Sequence, residues 1–568
     1  MKCGEVEDMP LWEAKGFWMR DSIHWPRPVH PLFVSYGLNP VEIGSVHAFE
    51  EFSIPSLKYE YLVLHGYVFQ RIVSIGGDPP PVMERFPFLF HLWRINPLLR
   101  SRVLGFEKFL REKGFENHVR AWQDVWEPEA QERLKPIRNF DRAKAGLEEL
   151  ANQLERCYDY LCWAWNPHNK VVMVGMYIRE RWLEVCKRLF NLTEFEAYEL
   201  VQMNDPAVFN TMNRLLTLAR RAAADPAIKD SLSLPSEKAL EQLANTWFGE
   251  ELEGFIEAEG DRPADGFEFG PTWREMPEMV VGIIKSLMGA DYPTTEDSDF
   301  QAYRLGRVNE LRSTLAGRER EEFGTWLELA EQVQPLSEIH DYLLMTVPLC
   351  HTRYAALEAG KRLVQKGILD GSEDTLFLYR EELLSALREN SLHPDLKGLV
   401  AKRKAEHSRN YSLMPPQTIG KAPMVPPLHV FPPIAAEGMK IFLKQYSLIE
   451  VQKEVPLELS AEGELFGTPG SPGVAEGPVR IIHTAEEFHL VQEGEVLVCP
   501  LTTPTWTVLF PYVAALITDS GGALSHAAIV SREYRLPSVV GTINGTKLLH
   551  NGQRVRVDGA AGVIQVLD

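Results

Sequence analysis

The stretch TDSGGALSHAAIVSREY (518–534) decides the fold of the last part of this chain. AALITD (514–519) ahead of it reads as a buried strand, and Gly521 and Gly522 supply a tight turn. Ser525 is a good helix cap, and HAAIVSREY continues as a helix whose first residue is His526. The unpaired donors and positive dipole end of a helix start make that position an anion site. A phosphoryl group on the imidazole would be held by amides already in place, and glycines leave room for it to approach. A histidine with a pKa near 6.5 is largely neutral at cytoplasmic pH and attacks phosphorus without first losing a proton to a base. A Ser-His pair at a helix start is also simple capping beside a partly buried histidine, so the fragment alone leaves both readings open.

Around this stretch the sequence turns β-rich. The short apolar runs VRII, EVLVCP, PSVVG, RVRVDG and GVIQVL follow the Gly/Pro cluster LFGTPGSPGVAEGPVRII (465–482), so the last hundred residues read as a small α/β domain. From 1 to about 410 helical periods dominate, as in DRAKAGLEELANQLERCYDYLCWAW (141–165) and FGTWLELAEQVQPLSEIHDYLLM (323–345), and strand-like alternation is scarce. Residues 351–387 read as a helix stopped by Gly367, a turn through Asp370 and Gly371, and a second helix. Prolines crowd the segment from 411, which reads as a linker. The expected organisation is multidomain: a large mainly α-helical domain (1–410), a Pro-rich connecting segment (411–467) and a small α/β (β/β/α) domain (468–568).

Composition sets limits. A chain of 568 residues exceeds the growth of one core, which suggests roughly two to four domains. The formal net charge of −20 and the lack of a long basic stripe argue against a nucleic-acid partner. No apolar run is long enough for a membrane span, and the N-terminus lacks an export signal, so a cytoplasmic location is expected. Six cysteines without paired spacing read as reduced thiols, with Cys157 and Cys162 packed in a core. No carboxylate and histidine cluster has metal spacing.

From about Pro469 onward the sequence resembles the phosphohistidine swivelling domain of the PEP-utilising enzymes, which include pyruvate phosphate dikinase, phosphoenolpyruvate synthase and rifampicin phosphotransferase. The resemblance is carried by SPGVAEGPVRII, VLVCPLTTPTW, TDSGGALSHAAIVSREYRLPSVVGT and GQRVRVDGAAGVIQVL. It implies that His526 carries the phosphoryl group, that Thr502 lines the phosphohistidine face, and that Gly521, Gly522 and Ser525 shape the anion site. Arg532 is a further phosphate-binding candidate, or else a surface ion-pair partner.

Dikinase-type enzymes charge their histidine on an ATP-grasp domain. Nothing here resembles one, no GxxxxGK[ST] loop occurs, and no βα barrel follows before Asp568. The expectation is a separate ATP-grasp subunit holding ATP and Mg²⁺, with no cofactor tightly bound on this chain. FWMRDSIHWPRPVHPLF (17–33), LVQKGILDGSEDTLFLYREEL (363–383) and SRNYSLMPPQTIG (408–420) resemble the acceptor domain of rifampicin phosphotransferase and the His-bearing subunit of phenylphosphate synthase. The second resemblance implies phenol as acceptor and phenylphosphate as product. The alternatives are a bulkier, antibiotic-like hydroxyl acceptor, or a non-catalytic scaffold with a relic His domain.

An acceptor site needs aromatic walls, a base and cations. Phe17, Trp18 and Trp25 are candidate walls and His24 or His30 the base, although the same segment also suits a packed loop. Arg362 and Lys366, one helical turn apart, suit a phosphate clamp or a solvated face. WAWNPHNK (163–170), with His168, offers a second aromatic wall.

Overall fold

The helical period around 141–165 extends into a helix of 44 residues, Leu147–Phe190, with Pro167 inside it. In the computed structural model the described residues are 12–22, 24–76, 91, 93–201, 206–263, 269–288, 298–388, 395–413, 415–422, 427–445, 459–460, 463–483, 485–502, 506, 509–510, 512–522 and 525–567. The chain forms two units that are each discontinuous in sequence. One comprises residues 1–180 and 340–452, the other residues 181–339 and 453–568. The segment expected as a linker contributes to both and contains a helix, Pro433–Gln445; its residues 446–458 lie outside the described residues.

The first unit is mainly helical, but it also holds a sheet where strand signals look scarce in the sequence. Strands β1 (Trp18–Arg20), β2 (Ser56–Leu64), β3 (Tyr67–Ser74) and β4 (Thr418–Ile419) pair in the order β2-β3-β1-β4. The pairs of β1 with β3 and β4, and of β2 with β3, are antiparallel. The β2-β3 hairpin turns through His65 and Gly66, at φ 50° and 80°, so both turn residues are left-handed. A His-Gly turn lacks the Asn-Gly or Asp-Gly signature, which is why the hairpin escapes notice. Glu60 faces Arg71 across it, with an ion pair of 2.6 Å, and Tyr59 and Tyr61 point to the buried side.

The hairpin read from residues 351–387 is present. Val347–Gln365 is a helix, Gly367 reverses the chain at φ 72°, a 3₁₀ turn covers Ser372–Phe377, and Arg380–Leu387 is the second helix. Cys157 is buried and Cys162 half-buried, both as free thiols, consistent with core packing. No described helix is long and apolar enough to cross a membrane.

The second unit contains the α/β region. Strands β5 (Glu464–Phe466), β6 (Thr468–Ser471), β7 (Val474–Ile481), β8 (Val496–Cys499), β9 (Ala515–Thr518), β10 (Ser538–Val540), β11 (Arg554–Asp558) and β12 (Val563–Val566) form a sheet ordered β5-β12-β11-β7-β8-β9-β10-β6. The central strands β7, β8, β9 and β10 run parallel. Parallel strands are buried on both faces, and here each face has its own core. Val496, Val498, Ala515 and Ile517 pack on one side with Val555 and Ile564. Leu497, Cys499 and Leu516 pack on the other with Ala527, Ala528 and Val530 of the helix His526–Glu533. That second core continues into Leu215, Phe248, Trp273 and Ile284, so the helices between 206 and 287 share the apolar interior of the α/β sheet.

Gly360 lies where the helix Val347–Gln365 meets the 3₁₀ turn, and a Cβ there would stand 2.2 Å from the Ser372 carbonyl oxygen. Gly360→Ala should therefore destabilise the first unit by about 1–3 kcal/mol, read from the urea midpoint of the variant against the native chain.

Candidate functional site

Strands β8 and β9 end side by side, with Cys499 opposite Thr518. Ligands of parallel sheets gather beyond the carboxyl ends of such strands. Thr502 follows β8 and is buried, while Gly521, Gly522 and Ser525 follow β9. The two loops are tied together, since Ser520 N–H donates to the Pro500 carbonyl at 2.9 Å and Asp519 N–H to the Cys499 carbonyl at 3.0 Å.

The turn itself depends on Gly521. Its φ of 120° is strained for any residue with a side chain, and a Cβ would fall 2.7 Å from Ser525 Oγ. A Cβ on Gly522 would meet no atom within 4 Å beyond its chain neighbours among the described residues. Ser525 is the N-cap in extended conformation, and its Oγ accepts from Ala528 N–H at 3.4 Å. His526 is the first residue of the helix His526–Glu533; its side chain lies outside the described residues. The helix start thus stands where the sequence puts it, with backbone donors that the helix does not use internally.

Asp519 anchors this turn, a role the sequence reading overlooked. Its carboxylate accepts from Thr546 N–H at 2.9 Å and from the Thr546 hydroxyl, and its carbonyl accepts from Ile543 N–H at 2.8 Å. Burial raises the Asp519 pKa to about 6, against the opposing pull of the Thr546 hydrogen bonds and Lys547. A Thr-Asp pair before two glycines was legible, but its partner lies 27 residues further on. Arg532 is committed elsewhere. It is buried in the last turn of the helix, donates from Nη1 to the Gly470 carbonyl at 2.8 Å and lies over the Tyr198 ring at 5.0 Å.

In the first unit, the aromatic candidates separate. Phe17 and Trp18 are buried, and Trp18 packs with Tyr67, Phe69 and Ile419 on the β1-β4 sheet, beneath the Arg71 guanidinium at 4.4 Å. Trp25 turns the other way, against Phe33 and Tyr61 at 5.8 Å each and beside His24 at 5.4 Å. The two histidines part as well. His30 stacks on His407 at 4.5 Å and meets Phe377 edge-on at 5.1 Å. Burial, reinforced by His407 and Arg353, lowers its pKa to about 3, so it does not take up a proton near neutrality.

His24 lies in a different environment. Its Nδ1 is 2.8 Å and 3.0 Å from the two oxygens of Asp21, and its backbone N–H donates to the same carboxylate at 3.1 Å. Asp21 is buried at 2% exposure, whereas the His24 side chain keeps 52% of its surface open. Burial nonetheless ranks first among the influences on His24 and lowers its pKa; the attraction and hydrogen bond of Asp21, with Asp341, reverse the sign and leave it raised.

Asp341 and His168 belong to the same neighbourhood. His168 Nδ1 lies 4.0 Å from Asp341 Oδ1, and its ring meets Trp165 at 4.5 Å and His340 at 4.9 Å. Burial, His340 and His24 together lower the His168 pKa well below its usual value. Burial raises the Asp341 pKa to about 7, with His24 and the Thr346 hydroxyl pulling the other way. His168 of WAWNPHNK therefore feels the charge of His24.

The proposed cations are placed on and at the end of the helix Val347–Gln365. Arg362 donates from Nη2 to the Ala143 carbonyl at 2.7 Å and pairs with Glu358 at 3.1 Å, and Lys366 caps the end of the same helix. Among the described residues no group of three or more His, Cys, Asp or Glu side chains is arranged to hold a metal ion.

Comparison with known proteins gives these geometries a context. Residues 491–562 match the PEP-utilising enzyme mobile domain, and residues 168–340 match the rifampicin phosphotransferase fourth domain. Chondramide synthase cmdD of Chondromyces crocatus is 26% identical over 98% of this chain, and the chain covers 14% of it. The uncharacterized phosphotransferase YvkC of Bacillus subtilis is 26% identical over 98% of the chain, which covers 62% of YvkC. A rifampicin phosphotransferase of Bacillus cereus is 35% identical over 53% of the chain and is covered to 29%. The chain therefore spans less than two thirds of each of these relatives.

Asp519 yields a pH test. Its folded pKa of about 6 exceeds that of an unfolded aspartate, about 3.9, so between these values the folded protein holds more protons and its stability falls as pH rises. Asp519→Asn should remove more than about 1 kcal/mol of that loss between pH 4 and pH 7, as measured by urea unfolding of variant and native chain at both pH values.

Proposed function

Because this chain carries a PEP-utiliser mobile domain and a rifampicin phosphotransferase fourth domain, we propose that it is a phosphotransferase component in which His526 carries a phosphoryl group to a hydroxyl acceptor. The observation that carries this reading is the turn at Gly521. A left-handed glycine, a Ser525 cap and a helix starting at His526 stand together within the matched residues 491–562. A neutral imidazole there takes a phosphoryl group from a nucleotide, and the helix-start amides with Thr502, Gly521 and Gly522 receive the phosphoryl oxygens. The nucleotide and Mg²⁺ sit on an ATP-grasp element outside these residues, in this reading a separate subunit. A covalent carrier splits the reaction into two short in-line transfers.

The acceptor we favour is phenol, and the product phenylphosphate. Two features support a flat aromatic hydroxyl compound: the resemblance of residues 17–33, 363–383 and 408–420 to the His-bearing subunit of phenylphosphate synthase, and the Trp25 ring beside His24, with Tyr61 packed on Trp25. A second reading, a bulkier antibiotic-like acceptor, is favoured by the relative named rifampicin phosphotransferase.

With an ATP-grasp partner and labelled ATP, the native chain should acquire an acid-labile label that phenol discharges. His526→Ala should acquire none and form no product while melting like the native chain. Label retained in that variant removes His526 from its role, and discharge by rifampicin but not by phenol selects the second acceptor.

A further inference from the structure

Ile543, in the loop after β10, has a φ of 69°. It is the one β-branched residue at positive φ among the described residues, and there its branched Cβ crowds the backbone. Asn544 N–H donates to the Thr542 carbonyl at 2.8 Å, so Ile543 is the centre of a three-residue turn of the rare, strained hand. Glycine would take this backbone path without steric cost. Strain of this kind persists only where the surroundings hold it in place, and it gathers at functional sites.

The segment that leads into Gly521 is what holds Ile543. Ile543 N–H donates to the Asp519 carbonyl at 2.8 Å. On one side of it, Thr542 donates to the Thr518 carbonyl from both its N–H and its Oγ1, each at 3.0 Å. On the other, Thr546 donates to the Asp519 carboxylate from its N–H, at 2.9 Å, and from its hydroxyl. Gly541 passes so close that a Cβ there would stand 2.5 Å from the Gly521 carbonyl oxygen. Strands β9 and β10 pair in parallel, so both loops leave the same edge of the sheet, and Ile543 lies in the middle of their contact.

Resting on the phosphohistidine reading above, we infer that the loop 541–546 sets the turn at Gly521 for phosphoryl transfer, with Ile543 as a positioning residue whose left-handed backbone fixes where Asp519 can lie. A branched side chain at positive φ leaves a narrow range of backbone angles, whereas glycine leaves a broad one. Ile543 therefore offers the Asp519 carbonyl a donor with one direction. Transfer of a phosphoryl group to a ring nitrogen is in line and tolerates little displacement, so a supporting loop of fixed path favours it without touching phosphorus. The cost falls on stability, since the folded chain carries strain that Ile543→Gly would release. A residue that served the fold alone would lose stability and charging together, or change charging not at all.

The test uses the full chain and phosphoramidate, a small phosphoryl donor that needs no partner subunit. The His526 ring nitrogen forms the new N–P bond as the P–N bond of the donor breaks. Ammonia leaves with the proton already on its nitrogen, and the ring keeps the proton of its other nitrogen. Acid-labile label above the His526→Ala background measures the charging rate. Hydrogen exchange of peptides covering 519–530 and the urea midpoint are read in the same variants.

Ile543→Gly should keep or raise the urea midpoint, slow charging about tenfold or more, and speed exchange across 519–530. Ile543→Val, which keeps the branched Cβ, should restore charging to within about twofold of the native rate and exchange as the native chain does. Native charging and exchange in Ile543→Gly, or equal losses in Ile543→Val, overturn the inference. A midpoint that falls in step with charging overturns it too, because that marks a loop serving the fold alone. If the native chain takes up no label above background, the carrier reading fails. Exchange and midpoint then decide the hold of the loop on the turn by themselves: faster exchange in Ile543→Gly at a native or higher midpoint upholds it, and unchanged exchange removes it.

Discussion

A helix can begin at His526 only because the chain leaves β9 through Gly521 at a φ of 120°. Any Cβ at that position would meet the Ser525 hydroxyl that caps the helix. The reversal, the cap and the helix start are one constraint. It is held from beneath by Asp519 bridging to Thr546 and by the Ser520 bond to Pro500. The parallel strands on either side contribute rigidity, since both faces of β8 and β9 are sealed by apolar cores. A turn with a single permitted backbone path presents its backbone donors without reorganisation.

The first unit solves a different problem by different means. Its Asp21–His24 pair joins a buried carboxylate to a half-exposed imidazole; burial lowers the His24 pKa, Asp21 and Asp341 leave it raised, and burial raises that of Asp341. A buried aspartate is costly unless bonded, and His24 provides that bond while gaining basicity from it. His30 shows the contrast six residues on. Burial, with His407 stacked on it and Arg353 near, lowers its pKa to about 3. Two histidines in one short segment thus shift in opposite directions, with Asp21 and Asp341 acting on one and His407 and Arg353 on the other.

Much of the α/β region was legible from its residues, because a strand, glycine turn, cap and amphipathic helix are each local and agree with one another. The hairpin of residues 351–387 was legible for the same reason, with Gly367 in the left-handed region where a helix stop requires it. The β2-β3 hairpin was not, since His65 and Gly66 give no common turn signature and the alternation of Tyr59, Glu60 and Tyr61 is brief. Arg362 and Lys366 looked like a clamp from their spacing, yet the Arg362 guanidinium is held by Ala143, 219 residues away.

By itself the sequence determined where a helix starts at His526, which glycine must precede it and that the surrounding strands are apolar, because φ, capping and alternation act over a few residues. The tertiary structure alone decided that Asp341 and His168 share the neighbourhood of His24, that Arg532 serves Gly470, and that helices between 206 and 287 join the core beneath the sheet. Burial and long-range pairing set those outcomes. Both depend on which distant segments exclude water from a side chain, and no local pattern encodes that.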